Sequence, residues 1–98
     1  MAKWDVEVSQ PHAVGVAEAR TRVKAMLVDF QRENASIVKG IRWNADETVA
    51  TADGSVFDAE FHVGGDRVDA FVKLSFVAKM MKGKVENGLK KALTKAFA

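Results

Sequence analysis

The chain has 98 residues, of which 48% are hydrophobic and 29% charged, and it has no cysteine. This composition excludes an intrinsically disordered chain and predicts a single domain, residues 1–98, with one modest core. The lack of cysteine excludes disulfides, thiolate nucleophiles and zinc–thiolate sites. No apolar run approaches the roughly 18 residues of a membrane span, and residues 1–5 lack a signal-peptide core, so we expect a cytoplasmic protein.

The net charge of +2 is unevenly distributed along the chain. Residues 76–98 contain six lysines and one acidic residue, Glu86, and carry +5, which leaves −3 for residues 1–75. This asymmetry fits an anionic partner. It also fits lysines that only solvate an exposed helix face, since lysine is a good helix former.

The first part of the chain predicts a strand followed by a helix. Trp4, Val6 and Val8 alternate with polar residues, as in a strand with one apolar face, and Pro11 ends that strand because it has no N–H for the ladder. Gly15 is the predicted N-cap of a helix that runs to Glu33. Its apolar residues have helical spacing: Val16, Ala19, Val23, Met26, Leu27 and Phe30.

Four strands are predicted in the middle of the chain. The first two, residues 37–43 and 47–52, are followed by Asp53-Gly54, a signal for a type I′ hairpin because both residues tolerate positive φ. The next two, residues 57–63 and 68–74, alternate strictly and are joined by a turn at Gly65-Asp66. This turn predicts the pairs Val63–Val68, Phe61–Ala70, Ala59–Val72 and Phe57–Leu74 on the apolar face, with Asp58–Lys73 and His62–Asp69 on the polar face.

Residues 76–97 predict a long amphipathic helix that the sheet would grip. Its apolar stripe comprises Ala78, Met81, Val85, Leu89, Ala92 and Ala96. Met80-Met81 is interpreted as core filler, and Phe61 is expected to point at the Met81, Val85 and Leu89 part of the stripe. Five lysines fall on the other side and form the predicted contact surface: Lys79, Lys84, Lys90, Lys91 and Lys95.

The predicted order β-α-β-β-β-β-α defines an α+β fold: an antiparallel sheet whose apolar face is covered by helices. The long C-terminal helix makes the arrangement similar to helix-grip folds. On the opposite, polar face of the sheet, Phe71 would be exposed unless a partner or a second copy of the chain covers it. A homodimer is therefore one of the open alternatives.

One polar cluster is a candidate for chemistry. Asp58, Glu60 and His62 share a strand face, and Asp69 lies across the ladder. A histidine among carboxylates can bind a divalent cation or transfer protons, although a solvated face with ion pairs is the commoner arrangement. His12 is interpreted as a contact between the first strand and the first helix.

Other functional motifs are missing from the sequence. No serine lies in a nucleophile-elbow pattern, and the glycines form no phosphate-binding loop, so we expect no enzyme activity, cofactor or metal. The basic helix has no arginine and no interleaved aromatic residues, which does not favour nucleic acid as a partner.

Three blocks of sequence resemble one known family. They are Pro11-His12 leading into residues 16–20, Arg42-Trp43 before two short strands, and residues 82–86 at the start of the last helix. In this order and spacing they resemble the putative polyhydroxyalkanoic acid system proteins, which bacteria encode near genes for polyester granules. The chain departs from the family at residues 51–54, where only the last glycine of a Gly-x-x-Gly turn is present.

The resemblance implies a non-enzymatic accessory or binding protein of polyhydroxyalkanoate metabolism. Its partner would be the granule surface or a granule-associated protein, contacted by the basic helix with its lysines at the rim. The alternative is a carrier of a small apolar ligand or lipid between sheet and helix, as in helix-grip domains, although a chain this short leaves little interior volume.

Overall fold

The computed structural model describes residues 4–98. The five strands are β1 (Val6–Pro11), β2 (Val38–Trp43), β3 (Val49–Gly54), β4 (Phe57–Val63) and β5 (Arg67–Leu74). The helices are α1 (Gly15–Glu33), a single 3₁₀ turn (Ala78–Met81) and α2 (Lys82–Ala96). The predicted α+β class and element order are confirmed. Residues 1–3, which entered the signal-peptide expectation, lie outside the described residues.

The strands form one antiparallel sheet in the order β1-β5-β4-β3-β2. The β4–β5 ladder has the predicted register on both faces, including Phe61 opposite Ala70 and His62 opposite Asp69. Strict alternation fixes this register because a slip of one residue would turn every apolar side chain towards water.

The core lies between one face of the sheet and the two helices. Four of the buried residues on the inner face of the sheet have the small side chain of alanine: Ala50, Ala52, Ala59 and Ala70. Helix α1 buries Ala19, Val23 and Leu27, whereas α2 buries only Leu93. Helix α1 packs against β2 and β4, and α2 packs against β1 and α1. The first helix therefore closes most of the core, and the helix-grip description is not confirmed.

The start of the last helix differs from the prediction. The chain forms a 3₁₀ turn after Ser75, whose carbonyl oxygen accepts a hydrogen bond from the Lys79 N–H at 3.0 Å. Met81, with φ −104° and ψ 17°, breaks the helical path before α2 begins at Lys82. Within α2, Leu93 lies four residues after Leu89 and therefore on the same face, and it is buried although the predicted stripe omits it.

The expected contact of Phe61 with this stripe is wrong in part. Val85 and Leu89 pack against the core cluster that contains Phe61. Met81 does not join that cluster, and it is 51% exposed. Met81 differs from Val85 and Leu89 because it lies at the break in the helical path, before α2 begins.

The hairpin between β3 and β4 turns later than predicted. Asp53 pairs with Asp58, and Ser55-Val56 form the connection. Gly54 is required for close approach and not for a positive φ: a Cβ there would lie 2.3 Å from Cε1 of Phe57 and 2.8 Å from the carbonyl oxygen of Ile37.

Two predictions at the start of the chain are also corrected. Gly15 is the first residue of α1 and not its N-cap, which is Val14; Gly15 has φ +83°, a value that favours glycine. Trp4 precedes β1 and does not continue its inner face. Its ring packs against Phe71 on the outer face, with the ring centroids 5.8 Å apart.

The two phenylalanines of the β4–β5 ladder should differ in their contribution to stability. Phe61 is 5% exposed in the core, so Phe61→Ala should lower the free energy of unfolding by about 3–5 kcal/mol through lost burial and a cavity. Phe71 lies half-buried on the outer face, and Phe71→Ala should cost clearly less. Denaturant unfolding at several protein concentrations measures both. A larger loss for Phe71→Ala at every concentration would contradict the assignment of the inner face.

Candidate functional site

The four residues of the predicted polar cluster have separate partners. His62 Nε2 lies 3.0 Å from a Glu60 carboxylate oxygen. Asp69 instead accepts a hydrogen bond from the Ser9 hydroxyl at 2.5 Å and pairs with Arg67 at 3.2 Å. Asp58 lies opposite Lys73. Within residues 4–98, no three His, Asp or Glu side chains are placed to hold a metal ion.

Two shallow depressions lie on the surface. One, of about 230 Å³, is lined by parts of the β3, β4 and β5 ends and includes His62 and Asp69. The other, of about 170 Å³, lies beside the β3–β4 connection. Both are smaller than the roughly 300–1,000 Å³ typical of ligand pockets.

His12, which lies between β1 and α1, contacts the turn between β4 and β5 and the residue before α1. Its Nε2–H donates to the carbonyl oxygen of Gly64 at 3.0 Å, and its Nδ1 accepts a hydrogen bond from the Val14 N–H at 3.3 Å. These two contacts together select the neutral tautomer with the proton on Nε2. The ring also stacks on Phe97, with the centroids 5.0 Å apart.

The C-terminal end of α2 is fixed to the rest of the fold. Arg22 of α1 donates to the carbonyl oxygen of Ala96 at 3.3 Å and lies over the Phe97 ring at 5.8 Å. A cation at this position also complements the helix dipole. At the N-terminal end of α2, Val85 packs against the core cluster, but the N-cap Met81 makes no side-chain capping hydrogen bond.

Glu47 is the carboxylate with a clearly perturbed pKa. Its hydrogen bond with Lys24, at 2.7 Å, holds the pKa of this carboxyl below its usual value. Arg20 donates to the Glu47 carbonyl oxygen at 3.1 Å. Carboxyl groups with a perturbed pKa often mark active sites. Here the contact with Lys24 explains the lowered pKa of Glu47, and the same contacts attach the β2–β3 turn to α1.

A contiguous apolar segment lies exposed between β5 and α2. Phe76 is 89% exposed, Val77 75%, Met80 91% and Met81 51%; we call these four residues the apolar tip. The Ser75 N–H donates to the Val56 carbonyl oxygen at 2.9 Å, which places the β3–β4 connection beside the start of the tip. The interpretation of Met80-Met81 as core filler is wrong. Clustered exposed apolar residues mark interaction surfaces more often than isolated ones do.

Three lysines accompany the apolar tip along the chain: Lys79, Lys82 and Lys84, all exposed, which we call the tip lysines. The first turn of α2 contains no acidic residue. Lys79 lies 4.0 Å from the carboxylate of Asp5, which also accepts a hydrogen bond from the Leu74 N–H at 2.8 Å. The tip therefore combines apolar side chains with an excess of positive charge.

The five lysines of the predicted contact surface fall into two groups along the chain. Lys79 and Lys84 belong to the tip, but Lys95 lies about 20 Å from Lys82 at the 1.5 Å rise per residue of a helix. Lys90 pairs with Glu86 at 3.2 Å. Lys91 and Lys95 make no ion pair with any residue in 4–98 and face solvent.

The family model described as putative polyhydroxyalkanoic acid system protein matches residues 6–97. The chain belongs to this family. The match covers every strand and both helices, so the resemblance seen in the sequence is confirmed. Comparison with curated proteins and with solved structures gives no match.

Neither helix of this polyhydroxyalkanoic acid system protein is long and apolar enough to cross a membrane, as far as residues 4–98 show. Of the seven exposed large apolar residues within 4–98, four belong to the apolar tip.

The sequence contained a signal for the tip that the periodicity argument missed. At 100° per residue, Phe76 and Met80 fall about 140–180° from the stripe predicted for residues 76–97. On one continuous helix they would therefore have pointed away from the core. Two large apolar residues on the lysine side of a supposed core helix indicate an interaction surface or a break in the helix, and the break is observed at Met81.

The tip residues should contribute little to the stability of this family member. Phe76→Ser and Met80→Ser should change the free energy of unfolding by no more than about 0.5 kcal/mol, as expected of surface substitutions. Leu93→Ala, which removes the buried side chain of α2, should cost about 2–5 kcal/mol. Denaturant unfolding of the three variants provides the comparison. A loss at Phe76 or Met80 as large as that at Leu93 would mean that the tip is packed in solution.

Proposed function

We propose that this protein is a non-enzymatic accessory protein of polyhydroxyalkanoate metabolism that docks on the surface of polyester granules in the cytoplasm. Docking uses the apolar tip, with the tip lysines at its rim. The observation that carries the proposal is the exposure of four neighbouring apolar side chains, from 51% to 91%. Membership in the polyhydroxyalkanoic acid system family supports the granule as the partner.

The energetics of the tip favour a reversible surface contact. Full burial of a Phe or Met side chain is worth about 1.5–3 kcal/mol, so Phe76 and Met80 together supply several kcal/mol before ordering costs. Each lysine near an anionic surface adds about 1 kcal/mol. These magnitudes suit a protein that associates with a granule and is released from it.

Docking through the tip leaves the core closed. An apolar stripe along α2 could not both pack on the sheet and enter a granule, because exposing it would open the core. The tip residues avoid this conflict: Phe76, Val77, Met80 and Met81 lie outside the hydrophobic cluster. The fold therefore does not have to rearrange before it binds.

The non-enzymatic part of the proposal is supported by the partners of the polar residues. Glu60, His62 and Asp69 have neighbouring side-chain partners on the outer sheet face, and Glu47 is paired with Lys24. The carrier alternative has less support, since both surface depressions are smaller than a typical ligand pocket.

Co-sedimentation with isolated polyester granules tests the proposal. The wild-type protein should partition to the granules, and the double variant Phe76→Ser, Met80→Ser should bind at least about tenfold more weakly, because both removed side chains would be buried in the contact. Val28→Ser is the control: Val28 is apolar and 58% exposed, but it lies on α1 and is not part of the tip. The control should bind as the wild type does.

Two results would contradict the proposed function. One is a wild-type protein that stays in the supernatant at all granule concentrations. The other is equal binding of the double variant and the wild type, which would place the contact elsewhere on the molecule.

A further inference from the structure

We propose that the apolar tip enters an anionic phospholipid interface and that it does so end-on, with α2 directed away from the surface. This inference rests on the proposed function and specifies the chemistry of its contact. Phe76 and Met80 would reach the acyl region, and the tip lysines would lie at the phosphate level.

The alternation of apolar and basic residues at the tip suits a phospholipid interface. The order is Phe76-Val77, Lys79, Met80-Met81, Lys82 and Lys84, so each apolar pair lies within two residues of a lysine. Lysine has a four-carbon stem, which allows the ammonium group to stay at the headgroups while its apolar neighbours lie about 5–10 Å deeper. An uncharged polyester surface would offer these lysines no counter-charge.

The local charge points to an anionic lipid and not a neutral one. The three tip lysines face one weak counter-charge, Asp5 at 4.0 Å from Lys79, and the first turn of α2 adds no acidic group. Lys73 at the end of β5 lies opposite Asp58 and so adds little net charge. Each unpaired lysine near an anionic leaflet should raise affinity about fivefold.

The distribution of apolar residues on α2 selects the end-on orientation. Lys84, Lys91 and Lys95 are separated by seven and four residues, so they share the outer face of α2. No apolar residue lies between them on that face, since Val85, Leu89 and Leu93 pack into the core. A helix lying flat would have lysines but no side chain to insert.

Distance separates the two groups of lysines in the end-on orientation. Lys91 and Lys95 lie about 14 and 20 Å along the helix from Lys82. These distances exceed the Debye length of about 8 Å at physiological ionic strength. Lys90, Lys91 and Lys95 are the distal lysines, which should therefore contribute little to binding although they equal the tip lysines in number.

Vesicle flotation with the full chain tests both parts of the inference. The probes are vesicles of phosphatidylcholine alone and of phosphatidylcholine mixed with phosphatidylglycerol. The wild-type protein should bind the mixed vesicles at least about tenfold more tightly, and increasing salt should weaken that binding. The double variant Phe76→Ser, Met80→Ser should lose most of it.

Two triple variants with the same change in charge distinguish the orientations. Lys79→Gln, Lys82→Gln, Lys84→Gln should weaken binding to the mixed vesicles by about tenfold or more. Lys90→Gln, Lys91→Gln, Lys95→Gln should stay within about threefold of the wild type. All six lysines are exposed, and circular dichroism and denaturant unfolding verify that both variants remain folded.

Several outcomes would overturn the inference. Equal binding to neutral and mixed vesicles would contradict the role of the anionic lipid. A loss of affinity in the distal triple variant that equals or exceeds the loss in the tip triple variant would contradict the end-on orientation. Binding to granules without binding to vesicles refutes the lipid contact and leaves the proposed function standing. If protease treatment of the granules abolishes binding, the partner is a granule protein and not a lipid. Failure to bind both granules and vesicles refutes the proposed function itself.

Discussion

The β4–β5 ladder and its contact with α1 are the constraint on which the rest of the structure depends. The ladder places Phe61, Val63 and Val68 on one side of the sheet and leaves charged residues on the other. A sheet with a single apolar face needs only one layer of helices. The first helix supplies most of that layer, since three of its residues are buried against the alanine-rich centre of the sheet.

This division of the core determines what the last helix is free to do. Leu93 is the buried residue of α2, and Arg22 and Phe97 attach the C-terminal end of the helix to α1. At the N-terminal end, Val85 packs against the core, whereas Met81, just before α2, is half exposed. The segment between β5 and α2 can therefore expose large apolar side chains without weakening the core, and the same side chains become available to a surface.

Strict alternation made the sheet predictable from the sequence. The register of β4 and β5 was correct at every pair because large and small residues face each other and a slip would bury charges. Helix α1 was correct to within one residue because its buried face repeats with helical spacing. The sheet order was not predicted, since it depends on β1 pairing with β5 across most of the chain.

Features set by local hydrogen bonds and close approach were not predictable from periodicity. The break at Met81 follows a turn stabilised by Ser75, and a single helical period drawn through residues 76–97 cannot show it. The β3–β4 connection is displaced because the Ser55 N–H donates to the carbonyl oxygen of Ile37. For the site, composition identified the lysines as a group, but only the position of the exposed apolar residues sets the tip lysines apart from those farther along α2.

The central claim is that the segment between β5 and α2 is the part of the molecule that contacts the granule. Hydrogen–deuterium exchange of the protein, free and bound to granules, tests it most directly because it reports backbone protection segment by segment. Binding should slow exchange in residues 75–84 and leave the exchange rates of α1 and of the outer face of the sheet unchanged. Protection confined to residues 90–97, or to the outer sheet face around Phe71, would contradict it.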